Sequence, residues 1–210
     1  IDMYLSREDP KAALIAAQEA VAALPERADL LAALGRAQYA AGENLQAVTS
    51  LEKAAGMSPN QAGPLLQLTQ AYLLQKNFAA AAQTARRAVQ AAPNMLATHQ
   101  ARVEVELAAQ RPQEALNITR ELQKQRPDDA AGFMLEAAVE ASRKNPGAAA
   151  DAYRNALKRS PTGALASLAH GALMAAGRKA EADKLEASWL AEHPRDTAFL
   201  LHLGLQALEQ

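Results

Sequence analysis

The stretch Ala28–Pro59, ADLLAALGRAQYAAGENLQAVTSLEKAAGMSP, holds two short helical patterns on either side of Gly42-Glu43-Asn44 and closes on a proline. In its first half Leu31, Leu34, Gly35 and Gln38 follow the i, i+3, i+4, i+7 spacing of one helix face. Gly35 carries no side chain, so a neighbouring helix can approach its backbone closely. Gly42 stands where a left-handed C-cap would end the first helix. In the second half Ala47, Leu51 and Ala54 make another stripe, and Pro59 stops it because proline cannot continue a helix interior. Neither helix can bury its stripe alone. Stacking against copies of the same unit is the physical solution.

The copies are found by looking for a fixed period. Prolines fall at 25, 59, 93, 127 and 161, each 34 residues after the last, and then at 194, one residue short. A second series, Pro10, Pro112 and Pro146, shares the frame, with Asn44 and Phe78 in the intervening slots. These stand at a first helical position, where the missing N–H has no partner to lose. The frame divides the chain into a half repeat at 1–25, repeats at 28–59, 62–93, 96–127, 130–161 and 164–194, and a lone first helix at 197–210. Because both ends cut repeats, the chain is expected to be a fragment of a longer solenoid forming one continuous array. The residue missing from the sixth unit is expected to shorten the turn around Gly177.

These columns match the tetratricopeptide repeat pattern. Its small residues appear as Gly35 and Gly171 in first helices and as Ala47, Ala81, Ala115, Ala149 and Ala182 in second helices. Its bulky residues appear as Leu31, Leu34, Leu65, Leu68, Tyr72 and Phe133. The chain therefore resembles tetratricopeptide repeat proteins over its whole length. That resemblance implies an all-α fold, a right-handed superhelical solenoid of stacked antiparallel helix pairs. It also implies a non-enzymatic scaffold that holds a peptide or protein partner in a concave groove lined by the first helices. RELQKQRPD (Arg120–Asp128) and WLAEHPRD (Trp189–Asp196) more narrowly resemble the repeat lipoproteins of the PEP-CTERM/exosortase system, found beside exopolysaccharide genes. This implies a bacterial periplasmic or outer-membrane-anchored location, with the cytoplasm as the alternative, and a full-length protein carrying a lipid anchor.

The slots that would face the groove hold Arg36, Tyr39, Leu66, Gln70, Leu73 and Leu74 in the earlier repeats. Further along they hold Gln100, Glu104, Leu107, Met134 and Leu168. This surface is mostly apolar and suits an extended or helical peptide. The competing reading is that Leu66, Leu73 and Leu168 only cover a neighbouring helix. Repeat domains of this family that grip a chaperone's C-terminal carboxylate use lysine, arginine and asparagine in these slots. Here Ala32, Arg36, Leu66 and Gln70 stand there, so the resemblance does not extend to that clamp.

The repeat at 96–127 departs from the pattern. Its first-helix core slots hold His99, Arg102, Val103 and Glu106, and the next repeat puts Phe133, Glu136, Ala137 and Glu140 in the same places. Buried charge is costly unless paired. His99, Arg102, Glu106, Glu136 and Glu140 are therefore expected to form an inter-repeat polar layer. In it Arg102 would meet Glu136 and pair with Glu106 at i, i+4. Three carboxylates against one arginine leave surplus negative charge, which keeps acid–base work open as the competing reading. Trp189 is expected to be a packing plug.

Composition narrows the classes further. Half the residues are apolar but only 4% are aromatic, as suits a core of alanine and leucine in close-packed helices. The net charge is −1 and the lysines and arginines are scattered, whereas a nucleic-acid binder would show a basic face. Arg86-Arg87 and Lys158-Arg159 read as solvent-facing pairs that complement helix dipoles. No cysteine is present, which excludes disulfides and thiolate metal sites. The four histidines have no i, i+4 partner, and no metal or other cofactor is implied. No apolar run reaches the roughly 18 residues of a membrane helix, and no signal peptide is visible. No phosphate loop, dinucleotide motif or nucleophile elbow occurs. The alternative to a free-standing scaffold is the regulatory or substrate-recruiting arm of an enzyme whose catalytic part lies elsewhere.

Overall fold

The computed structural model describes residues 1–208, and all regular structure among them is helical. First helices α1 (Asp2–Ser6), α3 (Ala28–Ala40), α5 (Ala62–Leu74), α7 (Leu96–Ala108), α9 (Ala131–Ser142), α11 (Gly163–Ala175) and α13 (Thr197–Leu208) alternate with second helices. The second helices are α2 (Pro10–Ala23), α4 (Asn44–Met57), α6 (Phe78–Ala91), α8 (Pro112–Gln125), α10 (Pro146–Arg159) and α12 (Lys179–Glu192). Each second helix has 14 residues, so the proline ruler measures a real structural repeat. The last two residues of the expected helix 197–210 lie outside the described ones.

The helices gather into two compact units, Ile1–Arg111 and Pro112–Gln210. In the first, α4 packs on α3 and α5, and α6 on α5 and α7. Leu31, Leu51, Leu65 and Leu68 fill its main core among alanines. Gly35 lets α4 come close: a Cβ added there would sit 2.6 Å from Leu51 Cγ and 3.1 Å from the Ala47 carbonyl oxygen. In the second, α10 packs on α9 and α11, and α11 on α12 and α13. Trp189 is buried there with Ala166 and Phe199, a packing plug whose Nε1–H donates to Asp196 at 3.3 Å. Arg159 remains exposed, but its guanidinium lies 3.8 Å over the Phe133 ring and its Nε donates to the Pro127 carbonyl. It therefore packs on a neighbouring helix as well as facing solvent.

Every hairpin turn has the same construction. Three residues join each first helix to its second, and the middle one is left-handed: Glu8, Gly42, Lys76, Gln110, Lys144 and Gly177, with φ between 57° and 82°. The residue after it donates its N–H back to a carbonyl five residues earlier, as Glu43 does to Gln38 at 2.8 Å and Arg178 to Leu173 at 2.9 Å. This satisfies carbonyls that a helix end leaves open. Asp9, Asn77 and Asn145 then cap the second helices through their side chains.

The turn at Gly177 is therefore as long as the others, contrary to the sequence expectation. The missing residue comes from the connection before α11, which spans 160–162 where the first two such connections after full repeats span 58–61 and 92–95. A three-residue turn with its closing hydrogen bonds tolerates no deletion, whereas the looser link between hairpins does. The consequence is a one-residue change of register along α11.

Candidate functional site

That register change matters because grooves form where a first helix, its second helix and the next first helix meet. In the first unit the α3–α4–α5 junction holds a slot of about 210 Å³ lined by Gly35, Arg36, Tyr39, Leu51, Gln67, Gln70, Ala71 and Leu74. Four of the expected groove residues, Arg36, Tyr39, Gln70 and Leu74, meet here. A second, more polar cavity of about 400 Å³ adjoins it, with Asp2, Asp29, Arg36, Gln61 and Gln67 among its walls.

In the second unit the α9–α10–α11 junction opens into a groove of about 910 Å³. Its walls are Ala141, Ala164, Ser167, Leu168, Gly171, Ala172 and Ala175, with Ala149 and Tyr153 of α10 at its floor and Lys144, Pro146 and His202 completing the lining. Slot for slot it corresponds to the α3–α4–α5 junction. Counting back from helix ends, Ala141 stands where Tyr39 does, Ala175 where Leu74 does, Gly171 where Gln70 does, and Tyr153 where Leu51 does. Burial pushes the Tyr153 phenol pKa up, so it stays a neutral donor.

His202 joins this groove to the base of α13. Its Nε2 lies 3.1 Å from His170 Nδ1, and His170 Nε2 lies 3.7 Å from Glu186 Oε2. Burial lowers the pKa of both rings, and for His170 the neighbouring His202 lowers it further, against the opposing pull of Glu186 and Asp183. Both shifts favour the neutral rings, and the bond between them needs one ring to present an unprotonated nitrogen that accepts.

No protein-family model and no curated protein sequence matches the chain. Among solved structures it is similar to the pilF protein of Pseudomonas aeruginosa, at 17% identity and a TM-score of 0.60 over 96% of this chain and 92% of that one. A tetratricopeptide repeat protein from Parabacteroides merdae matches at 15% identity and a TM-score of 0.58, over 99% of this chain and 82% of that one. A thermophilic repeat protein of Thermus thermophilus matches at 20% identity and 0.54, over 86% and 99%. The chain has the tetratricopeptide-repeat fold.

Within that tetratricopeptide fold the expected groove residues divide. Leu66 and Leu73 pack half-buried against the core of Ala81, Ala85 and Val105, so they serve the neighbouring helix. Gln100 and Glu104 are exposed on α7, and Leu107 is half-buried near its end. Met134 packs half-buried against Ala130, Ala156 and Leu165. Leu168 does line the large groove, 43% exposed, but in the slot of Gln67. A constant period of 34 put it in the slot of Leu66, which Ser167 fills instead. The same shift puts buried His170, not Gly171, in the small-residue column of Gly35.

The residues expected to form a polar layer lie on α7 and α9. Each carboxylate has a partner close by. Glu106 Oε2 lies 2.8 Å from Arg111 Nε, an ion pair without the alignment of a hydrogen bond. Glu136 accepts from Gln123 at 2.7 Å, and buried Glu140 accepts from Arg143 at 2.9 Å and Asn145 at 3.1 Å. Buried His99 donates from Nε2 to the Pro93 carbonyl at 2.8 Å, and Arg102 is half-buried on α7. Sequence reasoning passed over Ala141, Ala149, Tyr153, Ala164, Ala175 and His202. The signal was the run GALASLAHGALMAAG (163–177), too small-sided to fill the space it faces.

Proposed function

We propose that this chain is a non-enzymatic interaction scaffold that holds an apolar segment of a partner protein in the α9–α10–α11 groove. One observation carries the reading: a groove of about 910 Å³ walled mainly by alanine, with glycine, leucine and one tyrosine. Built binding pockets have this size and this character, with a few polar groups to orient the occupant. Here those groups are the Tyr153 hydroxyl, the Lys144 amine and His202. Walls without bulk leave the volume to the partner, whose leucine-sized side chains would each contribute on the order of 1.5–3 kcal/mol on burial. The similarity to tetratricopeptide structures supports a binding role over a chemical one.

The narrower setting is a bacterial envelope system for exopolysaccharide or protein sorting, with the chain in the periplasm or held at the outer membrane. Its support is the resemblance of Arg120–Asp128 and Trp189–Asp196 to repeat lipoproteins of that system. Fractionation of host cells tests it, and recovery of the protein in the cytosol alone would end it.

The groove is tested with a photo-crosslinking residue placed at Leu168 and, as a control, at Leu45 on exposed α4. A discrete protein crosslinked from 168, absent from 45 and lost with Ala172→Arg, is the expected result. Equal yields from both positions would remove the groove from the function.

A further inference from the structure

We infer that the α3–α5 face of the first unit recognises an acidic side chain of a partner peptide, with Arg36 as its anchor and the Tyr39–Leu74 slot taking an adjacent apolar side chain. This rests on the peptide-scaffold reading and adds a second, chemically different site to it.

Arg36 and Gln67 line both the polar cavity and the apolar slot, so they form the wall between them. Arg36 already grips a carboxylate: its Nη2 donates to Asp2 Oδ1 at 2.6 Å. That carboxylate is only loosely committed, since the Asp2 side chain is 80% exposed and can turn into solvent. An exposed pair of this kind is weak, so an incoming carboxylate can replace it at little cost. The other acid of the cavity, Asp29, is taken bidentately by Arg27 at 2.9 and 2.7 Å, so it does not compete for Arg36.

Gln67 supplies the second polar contact. Its Oε1 is buried with no hydrogen-bond partner among the described residues. A buried acceptor left unpaired is unfavourable, and a turn of the half-buried Gln67 amide into the slot it lines would let a peptide N–H satisfy it. Beyond the wall Tyr39, Leu51, Ala71 and Leu74 leave about 210 Å³. One medium-sized apolar side chain fits such a slot. A chain-terminal carboxylate is the weaker fit, because the group Arg36 already holds is a side-chain carboxylate, gripped through one nitrogen.

The test is selection of a random heptapeptide library displayed with blocked C-termini on the immobilised full chain. Peptides recovered on the wild-type chain should be enriched in aspartate or glutamate next to a large apolar residue. Arg36→Gln should remove the acid preference and keep the apolar one. Asp2→Asn should tighten the selected peptides roughly 1.5- to fivefold, the range expected when a competing exposed pair is lifted. Enrichment of lysine or arginine, no acid preference, or weaker binding to Asp2→Asn would each overturn the inference and leave the scaffold reading intact. Recovery of no peptide on any version would defeat both.

Discussion

The same three-helix junction occurs in two forms. In the first unit Tyr39, Gln70 and Leu74 fill the space between first helices and leave about 210 Å³. In the second unit Ala141, Gly171 and Ala175 stand in those slots and leave about 910 Å³, with the bulk moved to the floor as Tyr153. Backbone and turn construction are shared, so the cavity is set by a few side chains at repeated positions. The repeat supplies the frame, and substitutions within it decide what each stretch can hold. A packed array can alter one face in this way because each hairpin contacts only its neighbours.

The largest expected effect concerns the connection that sets the register of α11. Gly163 stands where the first unit has Ala62, and a Cβ there would fall inside the Asp196 carboxylate. That carboxylate accepts the backbone N–H groups of Ala198 and Phe199 at 3.1 Å each and the Trp189 indole. Gly163→Ala should therefore cost about 2 kcal/mol, through a lost cap and overpacking. Urea unfolding would check this, and wild-type stability would mean that the two junctions differ less than their contacts indicate.

Next comes the volume difference itself. Ala141→Tyr with Ala175→Leu rebuilds the first unit's walls in the second. Crosslinking from position 168 should fall about tenfold, equivalent to about 1.4 kcal/mol, with the helix content by circular dichroism unchanged. Retained capture would show that volume is not what separates the junctions.

A smaller effect tests what the junctions share. Lys76 and Lys144 are left-handed at φ 57° and 59°, where Gly42 and Gly177 sit in their own turns. Replacing either lysine by glycine should stabilise the chain by about 0.5–1 kcal/mol, since the left-handed penalty of an L-residue outweighs the added chain entropy. Thermal melts of the two variants should shift upward alike. Unequal shifts would mean that the turns are not equivalent.

The smallest effect belongs to the second unit alone. Burial holds the pKa of His170 and His202 below their ordinary value of 6.5, so on acidification the unfolded chain takes up protons first. Stability is unaffected above that value and declines as pH falls through it towards the lowered folded values. The melting temperature should drop across this window, and His202→Gln should flatten the drop.

Much of the fold was legible in the primary structure, because proline and left-handed positions recur at a spacing that only stacked hairpins explain. The core stripes of α3 and α5 followed from periodicity in the same way. The groove was less legible. Alanine reads alike whether it packs against a helix or lines an empty wall, and only the placement of neighbours tells Ala149 and Ala175 from Ala47. The position of Leu168 was misread for a sharper reason: one residue missing from a link shifts every side chain of the following helix by a slot.

The chain's single tryptophan, Trp189, lies in the second unit against Phe199 and 4.3 Å from the His193 ring. Nature has thus placed an intrinsic optical label in one half only. Its emission follows that half during denaturation while far-ultraviolet ellipticity follows both, so the separation of the two traces would measure whether the halves melt as one cooperative body.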